Sequence, residues 1–422
     1  DDETPDTNFS PLSKEITNKL TKEEKRKNGI FFTPMSIISK IMYVIKLNKI
    51  IVQTILEPSC GSCEIIHTIN KYFNNINIHG IEKNDTIYES IRNIEFCRRN
   101  NNTITLEQND FLLTDTNRKY DLIIGNPPFF VLKKDDVDKK YFSLFEGRPN
   151  IFILFIIHSL SLLNDNGVIA FVLPSSFMNC LYYNKLRREI YNKYKILDII
   201  SCTEDKFLET QQETVVVVFQ KMSSITDEKE NNDTFTFING DNICFNTKNT
   251  VSQLKKNIEK TNTLDSIGFS VGVGNVVWNQ HKDILTDNSS KIRIVYSSDI
   301  KDGELILKKN KPNKSGIKHN YIDIENTTIK TYDKPTLITS RGYGVGTYSF
   351  DYCIVDLGEN YVLENHIIAI KPKNDMNREE LLTAYERIIT SFNDERTKKF
   401  VSLYFGNSAI NATELQYILP IY

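Results

Sequence analysis

Between residues 30 and 220 the chain alternates short apolar runs with longer stretches in which apolar side chains recur every three to four positions. The short runs read as strands and the helical period reads as helix. Strands are predicted at Thr54–Leu56, Asn77–Ile81, Thr103–Glu107, Asp121–Ile124, Gly167–Leu173, Ile196–Ser201 and Thr214–Phe219. Helices are predicted at Ser36–Ile45, Glu64–Tyr72, Ile87–Asn100, Ile151–Leu163 and Asn184–Tyr194. Strands and helices in alternation predict an open, mostly parallel α/β sheet. Val215-Val216-Val217-Val218 is wholly β-branched, which predicts a strand covered on both faces.

The pattern changes at both sides of this segment. Residues 1–28 are polar and charge-rich and read as an arm or short helix outside the core. Residues 223–233, SSITDEKENND, have almost no apolar side chains and read as a linker. Residues 234–422 carry shorter strands and many polar turns, the mark of a second domain. Gly272-Val273-Gly274 has no strand-turn-helix frame around it and reads as a turn rather than a nucleotide loop.

A chain of 422 residues with 40% hydrophobic side chains has ample material for two cores. The formal net charge of −2 excludes a global basic field, so any nucleic-acid contact must come from local patches. Seven scattered cysteines fit no disulfide framework and suit a reducing interior. Cys60-Gly61-Ser62-Cys63 is a lone pair without a second pair or nearby histidines, so no metal is expected. The longest apolar run, Ile151 to Leu163, is too short to span a bilayer, and the acidic start shows no signal peptide. An intracellular protein with no membrane association is expected.

Candidate chemistry collects at strand ends. In ILEPSCGSCEII, residues 55–66, a strand runs through small residues into a helix, so Ser59, Gly61 and Ser62 let the backbone approach a ligand. Glu82 ends the next strand, where an acid can accept hydrogen bonds from two ribose hydroxyls. Asp110 and Phe111 follow the third strand. Open α/β sheets bind ligands at this edge. The turn has neither G-x-G-x-x-G nor a P-loop lysine, which favours a nucleoside without phosphates over a pyrophosphate cofactor.

The fourth strand stops at Asn126-Pro127-Pro128-Phe129. Two consecutive prolines cannot donate to a sheet, and their fixed dihedrals make a rigid backbone. The Asn126 amide oxygen and the Pro127 carbonyl can then accept hydrogen bonds from one exocyclic amine while Phe129 stacks on its ring. Such acceptors draw the amine lone pair out of conjugation and aim it at an electrophile, with no strong base required.

Thr33-Pro34 in GIFFTP, Glu57-Pro58-Ser59-Cys60-Gly61, Glu82, Asp110-Phe111 and Asn126-Pro127-Pro128-Phe129, in this order, resemble the gamma-class adenine-N6 DNA methyltransferases of restriction–modification systems. The resemblance continues through residues 148–177 and through DKFLETQQETVVVVFQK, residues 205–221, and so covers 29–221. It implies a Rossmann-like methyltransferase domain at 29–222 with a mostly parallel seven-stranded sheet. It also implies a C-terminal α+β target-recognition domain at 234–422, beyond the 223–233 linker.

The implied cofactor is S-adenosylmethionine. Thr33 and Pro34 would close over its methionine end, Glu57, Ser59 and Gly61 would line the methionine and sulfonium region, and Glu82 would hold the ribose. Asp110 would meet the adenine amino group, with Phe111, Pro128 and Lys83 around that ring. Asn126 and Pro127 would grip the target N6 amine, and Phe129 and Phe207 would sandwich the flipped adenine. Many relatives carry Tyr at the position of Phe129, and Phe keeps the stacking face. The implied partners are double-stranded DNA, gripped between the two domains, and a cognate restriction endonuclease, with the protein itself a monomer. Lys133, Lys134, Lys139 and Lys140 after the catalytic turn, with Lys311, Lys314 and Arg341 in the second domain, are the candidate phosphate contacts. Two alternatives stay open: a methyltransferase acting on a protein glutamine or an RNA amine, and a non-catalytic DNA-recognition subunit.

Overall fold

The computed structural model describes residues 9–96, 100–115, 117–203, 213–222, 229–307, 311–313, 316–325, 327–340, 351–405 and 410–422. The side chains of residues 26, 27, 229, 230, 311–313, 316 and 317 are excepted. Phe207, Lys314, Arg341 and linker residues 223–228 lie outside the described residues, as does the side chain of Lys311. The chain divides into two compact units, Asp1–Ser252 and Gln253–Tyr422.

The first unit is built on the seven expected strands: β1 (Thr54–Glu57), β2 (Asn77–Glu82), β3 (Thr103–Gln108), β4 (Tyr120–Gly125), β5 (Leu163–Pro174), β6 (Tyr194–Ser201) and β7 (Thr214–Lys221). They form one sheet in the order β3-β2-β1-β4-β5-β7-β6. Strands β3 to β5 pair in parallel, and β7 runs antiparallel between β5 and β6. Val217 lies opposite Phe171 on one side and Ile199 on the other, and Val216 to Val218 are fully buried, as a doubly covered strand requires.

Alternation along the strands feeds two cores. Leu56, Ile123, Ile169, Phe171 and Val217 face α6 (Ile151–Leu162), whose apolar residues are buried on nearly all sides. Ile55, Leu122, Ile124, Val172 and Val218 face the other core, with α3 (Met35–Leu47) and α4 (Glu64–Tyr72). Successive strand residues point to opposite faces, so each β-branched run supplies both layers.

Four expectations change. Helix α5 spans Asp85–Ile91 instead of Ile87–Asn100. The Asn84 side chain accepts from the Ile87 amide to start it, and it stops at Ile91, its last fully buried contact. Residues 9–28, expected outside the core, are part of it. They hold α1 (Pro11–Lys19) and α2 (Lys22–Asn28), and Phe9, Ser13, Ile16 and Leu20 are buried against α3 and α4. The end of the presumed linker is helix α8 (Lys229–Phe235). Its Asn232 is 2% exposed and bonds the Ile196 amide and the Tyr191 and Tyr194 carbonyls, after which the hairpin Thr236–Asn239 and Asn242–Phe245 closes on the first unit. Gly272 and Val273 end a strand, Phe269–Val273, rather than forming a turn, because their backbone groups pair with Ala369 and Ile368.

The second unit holds an antiparallel four-stranded sheet in the order Phe269–Val273, Ile367–Pro372, Thr336–Ser340, Tyr352–Val355. It also has a smaller mixed sheet and the helices Arg378–Asn393 and Glu395–Phe405, an α+β arrangement. Among the described residues no helix is long and apolar enough to cross a membrane.

Candidate active site

The sheet order reverses at β1 and β4. The chain leaves β1 toward β2 and β3, then returns to β4 on the other side of β1. Connections diverge there, so a crevice opens at the carboxyl ends of these strands. A cavity of about 370 Å³ occupies it. Ten of the sequence-predicted residues line it: Thr33, Glu57, Ser59, Gly61, Glu82, Lys83, Asp110, Phe111, Asn126 and Pro128.

Each strand delivers one acid or amide. Glu57 ends β1 and is 3% exposed, and its Oε2 has no hydrogen-bond partner. Burial holds its carboxyl well above the usual range, and the neighbouring Cys60 and Glu82 reinforce this. Glu82 ends β2. Its two oxygens accept from the Gly61 amide at 2.9 Å and the Asn84 amide at 2.7 Å, which braces the β1–α4 turn against β2. Burial raises its pKa as well, against the pull of those amides. Gly61 sits at φ +51, and a side chain there would meet the Phe32 ring at 3.1 Å, so the close turn needs glycine.

Asp110, two residues past β3, accepts from the Leu112 amide at 3.0 Å and from Lys83 Nζ at 2.8 Å. Lys83 is mostly exposed, so this ion pair is weak and leaves Asp110 available to a ligand. Phe111 packs against Phe155 and edge-on to His158, each at 4.9 Å, and presents one side to the cavity.

Past β4, Asn126 Nδ2 donates to the Phe31 carbonyl at 2.9 Å, and the Ser59 hydroxyl donates to the Asn126 carbonyl at 3.3 Å. The GIFFTP segment and the β1 turn thus clamp the Asn-Pro-Pro turn from two sides. Phe129 is half-buried and lies edge-on to Phe152 at 6.0 Å. Pro34, Pro127 and Phe129 are not among the cavity-lining residues. Pro34 instead caps α3, and Pro127 is buried behind the turn.

Lys133, Lys134, Lys139 and Lys140 are exposed along the segment after the turn. Part of it is helical, over Lys139–Leu144. Lys134 lies over the Phe142 ring and Lys140 over Tyr141, at 5.3 and 4.9 Å.

The structure adds lining residues that sequence reasoning missed. Phe130, which has no role in the sequence pattern beside Phe129, faces the cavity, as do Phe31, Phe32, Cys60, Glu64 and Asp85. Periodicity marks such residues only as helix starts or core, and the crevice gives them a second neighbour. Cys60 and Cys63 are buried, and hydrogen bonding to Cys63, with burial, pushes the Cys60 thiol up, so it stays protonated. Among the described residues no group of three or more His, Cys, Asp or Glu side chains is placed to hold a metal.

S-adenosylmethionine carries an ammonium and a sulfonium, and the cavity fits such a cation. Glu57, Glu64, Glu82, Asp85 and Asp110 line it, against one basic lining residue among those described, Lys83. The buried Glu57 Oε2 has no protein partner and is open to a donor from a ligand.

Residues 20–207 match the model of the Eco57I restriction-modification methylase family. Over 417 residues the chain is 28% identical to the type II methyltransferase M.CvrRI of Paramecium bursaria Chlorella virus XZ-6E, covering 96% of each chain. It is 25% identical to the modification methylase CviBIII of Paramecium bursaria Chlorella virus NC1A, over 97% of this chain and 98% of the relative. Among solved structures, a DrdV–DNA complex overlaps 97% of this chain and 57% of its own at 12% identity, with a TM-score of 0.49. The segment that carries the crevice, residues 20–207, is thus the part of the chain that matches the Eco57I restriction-modification methylase family, and S-adenosylmethionine is the methyl donor that its cavity fits.

Proposed function

We propose that this protein methylates the N6 amine of an adenine in duplex DNA, with the base turned out of the helix into the crevice. The observation that carries this reading is the Asn126-Pro127-Pro128-Phe129 turn, clamped by Phe31 and Ser59 at the mouth of the donor cavity. With its Nδ2 committed to Phe31, the amide of Asn126 keeps Oδ1 for a substrate donor. The Pro127 carbonyl is the second acceptor for the same amine. Two fixed acceptors on one planar NH2 localise its lone pair for in-line attack, and the proton leaves after attack. Phe129 and Phe207 stack on the two faces of the base, which offsets the few kcal/mol of unstacking.

In this reading Thr33, Glu57, Ser59 and Gly61 hold the methionine half of the donor. Glu82 holds the ribose, and Asp110, Lys83, Phe111 and Pro128 surround its base. The donor supplies an electrophilic methyl group. The acidic wall favours the cationic donor over the neutral-sulfur product, which assists turnover. Duplex DNA as substrate is also supported by the relatives named type II methyltransferases.

Asn126→Ala tests the assignment. Methylation of duplex DNA, followed by mapping N6-methyladenine in DNA from a methylation-deficient host, is expected to fall by about a hundredfold or more. Donor affinity by calorimetry stays within a few-fold of wild type. Full activity in this variant would overturn the assignment, and unmodified adenine with a methylated protein or RNA would replace the substrate.

A further inference from the structure

We propose that Glu64 is a donor-binding residue, a second carboxylate for the α-ammonium group of S-adenosylmethionine, and that helix α1 sets its position through Ser10 and Ser13. The inference rests on the donor assignment above and concerns residues to which that assignment gives no role.

Glu64 opens α4, is 4% exposed and lines the cavity. It does not serve as a helix cap, since α4 begins without a side-chain cap bond. Its Oε1 instead accepts from the Ser10 amide at 2.7 Å and from the Ser13 hydroxyl. Ser13, fully buried, also lies 2.6 Å from the Ser62 hydroxyl, another lining residue. Helix α1, from a segment whose composition suggested a solvated arm, thus reaches the cavity wall from behind.

All these partners are uncharged, and Glu57 stands close enough for Glu64 to act on its ionisation. His67, one turn along α4, has its pKa lowered by burial and supplies no fixed cation. Lys83, the basic residue in the lining, is mostly exposed and pairs with Asp110 rather than with Glu57 or Glu64. Two buried carboxyls, at the end of β1 and at the start of α4, therefore face the cavity without a fixed cation, and one of their oxygens, Glu57 Oε2, lacks any donor.

The missing group must donate hydrogen bonds. A sulfonium has no N–H or O–H, whereas an ammonium has three donors. The location agrees: Thr68, four residues past Glu64, donates to Met35 Sδ at 3.1 Å, directly after Thr33-Pro34.

The test measures dissociation constants by calorimetry for S-adenosylmethionine, S-adenosylhomocysteine and the deaminated form of the latter. Wild type, Glu64→Gln, Ser13→Ala and Ser13→Thr are compared, with thermal unfolding without ligand as the control for folding. Glu64→Gln keeps the shape and the acceptor for Ser10, so it is expected to fold. It is expected to weaken both amino-bearing ligands about tenfold and leave the deaminated one unchanged. Ser13→Ala shifts the same two constants in the same direction by less, and Ser13→Thr restores them. Unchanged binding by Glu64→Gln, or equal loss for all three ligands, overturns the proposal. A wild-type protein that binds neither amino-bearing ligand overturns the donor assignment itself.

Discussion

Gly29 leaves the turn at the end of β4 no slack. It ends α2 at φ +62, and a side chain on it would sit 2.5 Å from the Phe129 backbone nitrogen. Gly29→Ala must therefore strain its own backbone and displace the turn that positions Asn126. The expected cost is about 1–2 kcal/mol in unfolding free energy. Methylation should fall more steeply than donor affinity, and a variant with wild-type turnover would show that the turn tolerates displacement. Glu57 makes a prediction with a defined sign. Its folded pKa is raised well above 4.5, so the folded state holds the proton more tightly than the unfolded chain. Stability of the ligand-free protein then falls as pH rises from about 4.5 through the folded pKa. A cationic donor reverses the preference, because it favours ionised Glu57. Donor binding should tighten across the same window and release protons, measured by calorimetry in buffers of different ionisation enthalpy, and Glu57→Gln should abolish both trends.

Polar residues that look like solvated surface prove to be fasteners between elements. Asn232 ties α8 to β6 through two hydrogen bonds and to the Tyr191 carbonyl through a third, and Ser13 ties α1 to α4. Arg187 on α7 (Asn184–Lys193) is fully buried. Its guanidinium donates to the Phe177, Cys180 and Ile243 carbonyls, fixing the hairpin after α8 to the first unit. Arg187→Met would leave three buried carbonyls unpaired, an expected loss of about 3 kcal/mol in denaturant unfolding. Retained stability would mean that water replaces those bonds. Ile87 and Ile91 mark the buried stripe of α5, and the helix stops there although Ile94 continues the period.

The molecule as a whole is nearly neutral, so affinity for a polyanion must come from where its lysines stand. The four lysines after the Asn126–Phe129 turn are exposed and belong to the same unit as the crevice. Replacing Lys133, Lys134, Lys139 and Lys140 with Ala should weaken DNA binding about equally for all sequences. It should also flatten the dependence of log affinity on log salt by roughly one for each phosphate that these lysines neutralise. An unchanged slope would assign phosphate binding to other residues. Donor binding, confined to the first unit, should be untouched.

Much of the first unit was legible in the sequence. Its seven strands, the doubly covered valine strand and the acid or amide at the ends of four strands follow from local physics. Period-two apolar runs must be buried, and prolines must end a ladder. The motifs alone were enough to place ten residues in the crevice. Tertiary structure alone decided how each is held: Asn126 by Phe31, Glu82 by Gly61 and Asn84, and Glu64 by a helix 51 residues away in sequence. It also decided that residues 9–28 and 229–245 belong with the first unit. The reason is physical. Hydrophobic periodicity records which side chains leave water, but a buried hydroxyl, amide or guanidinium is stable only beside partners that the chain brings together from afar.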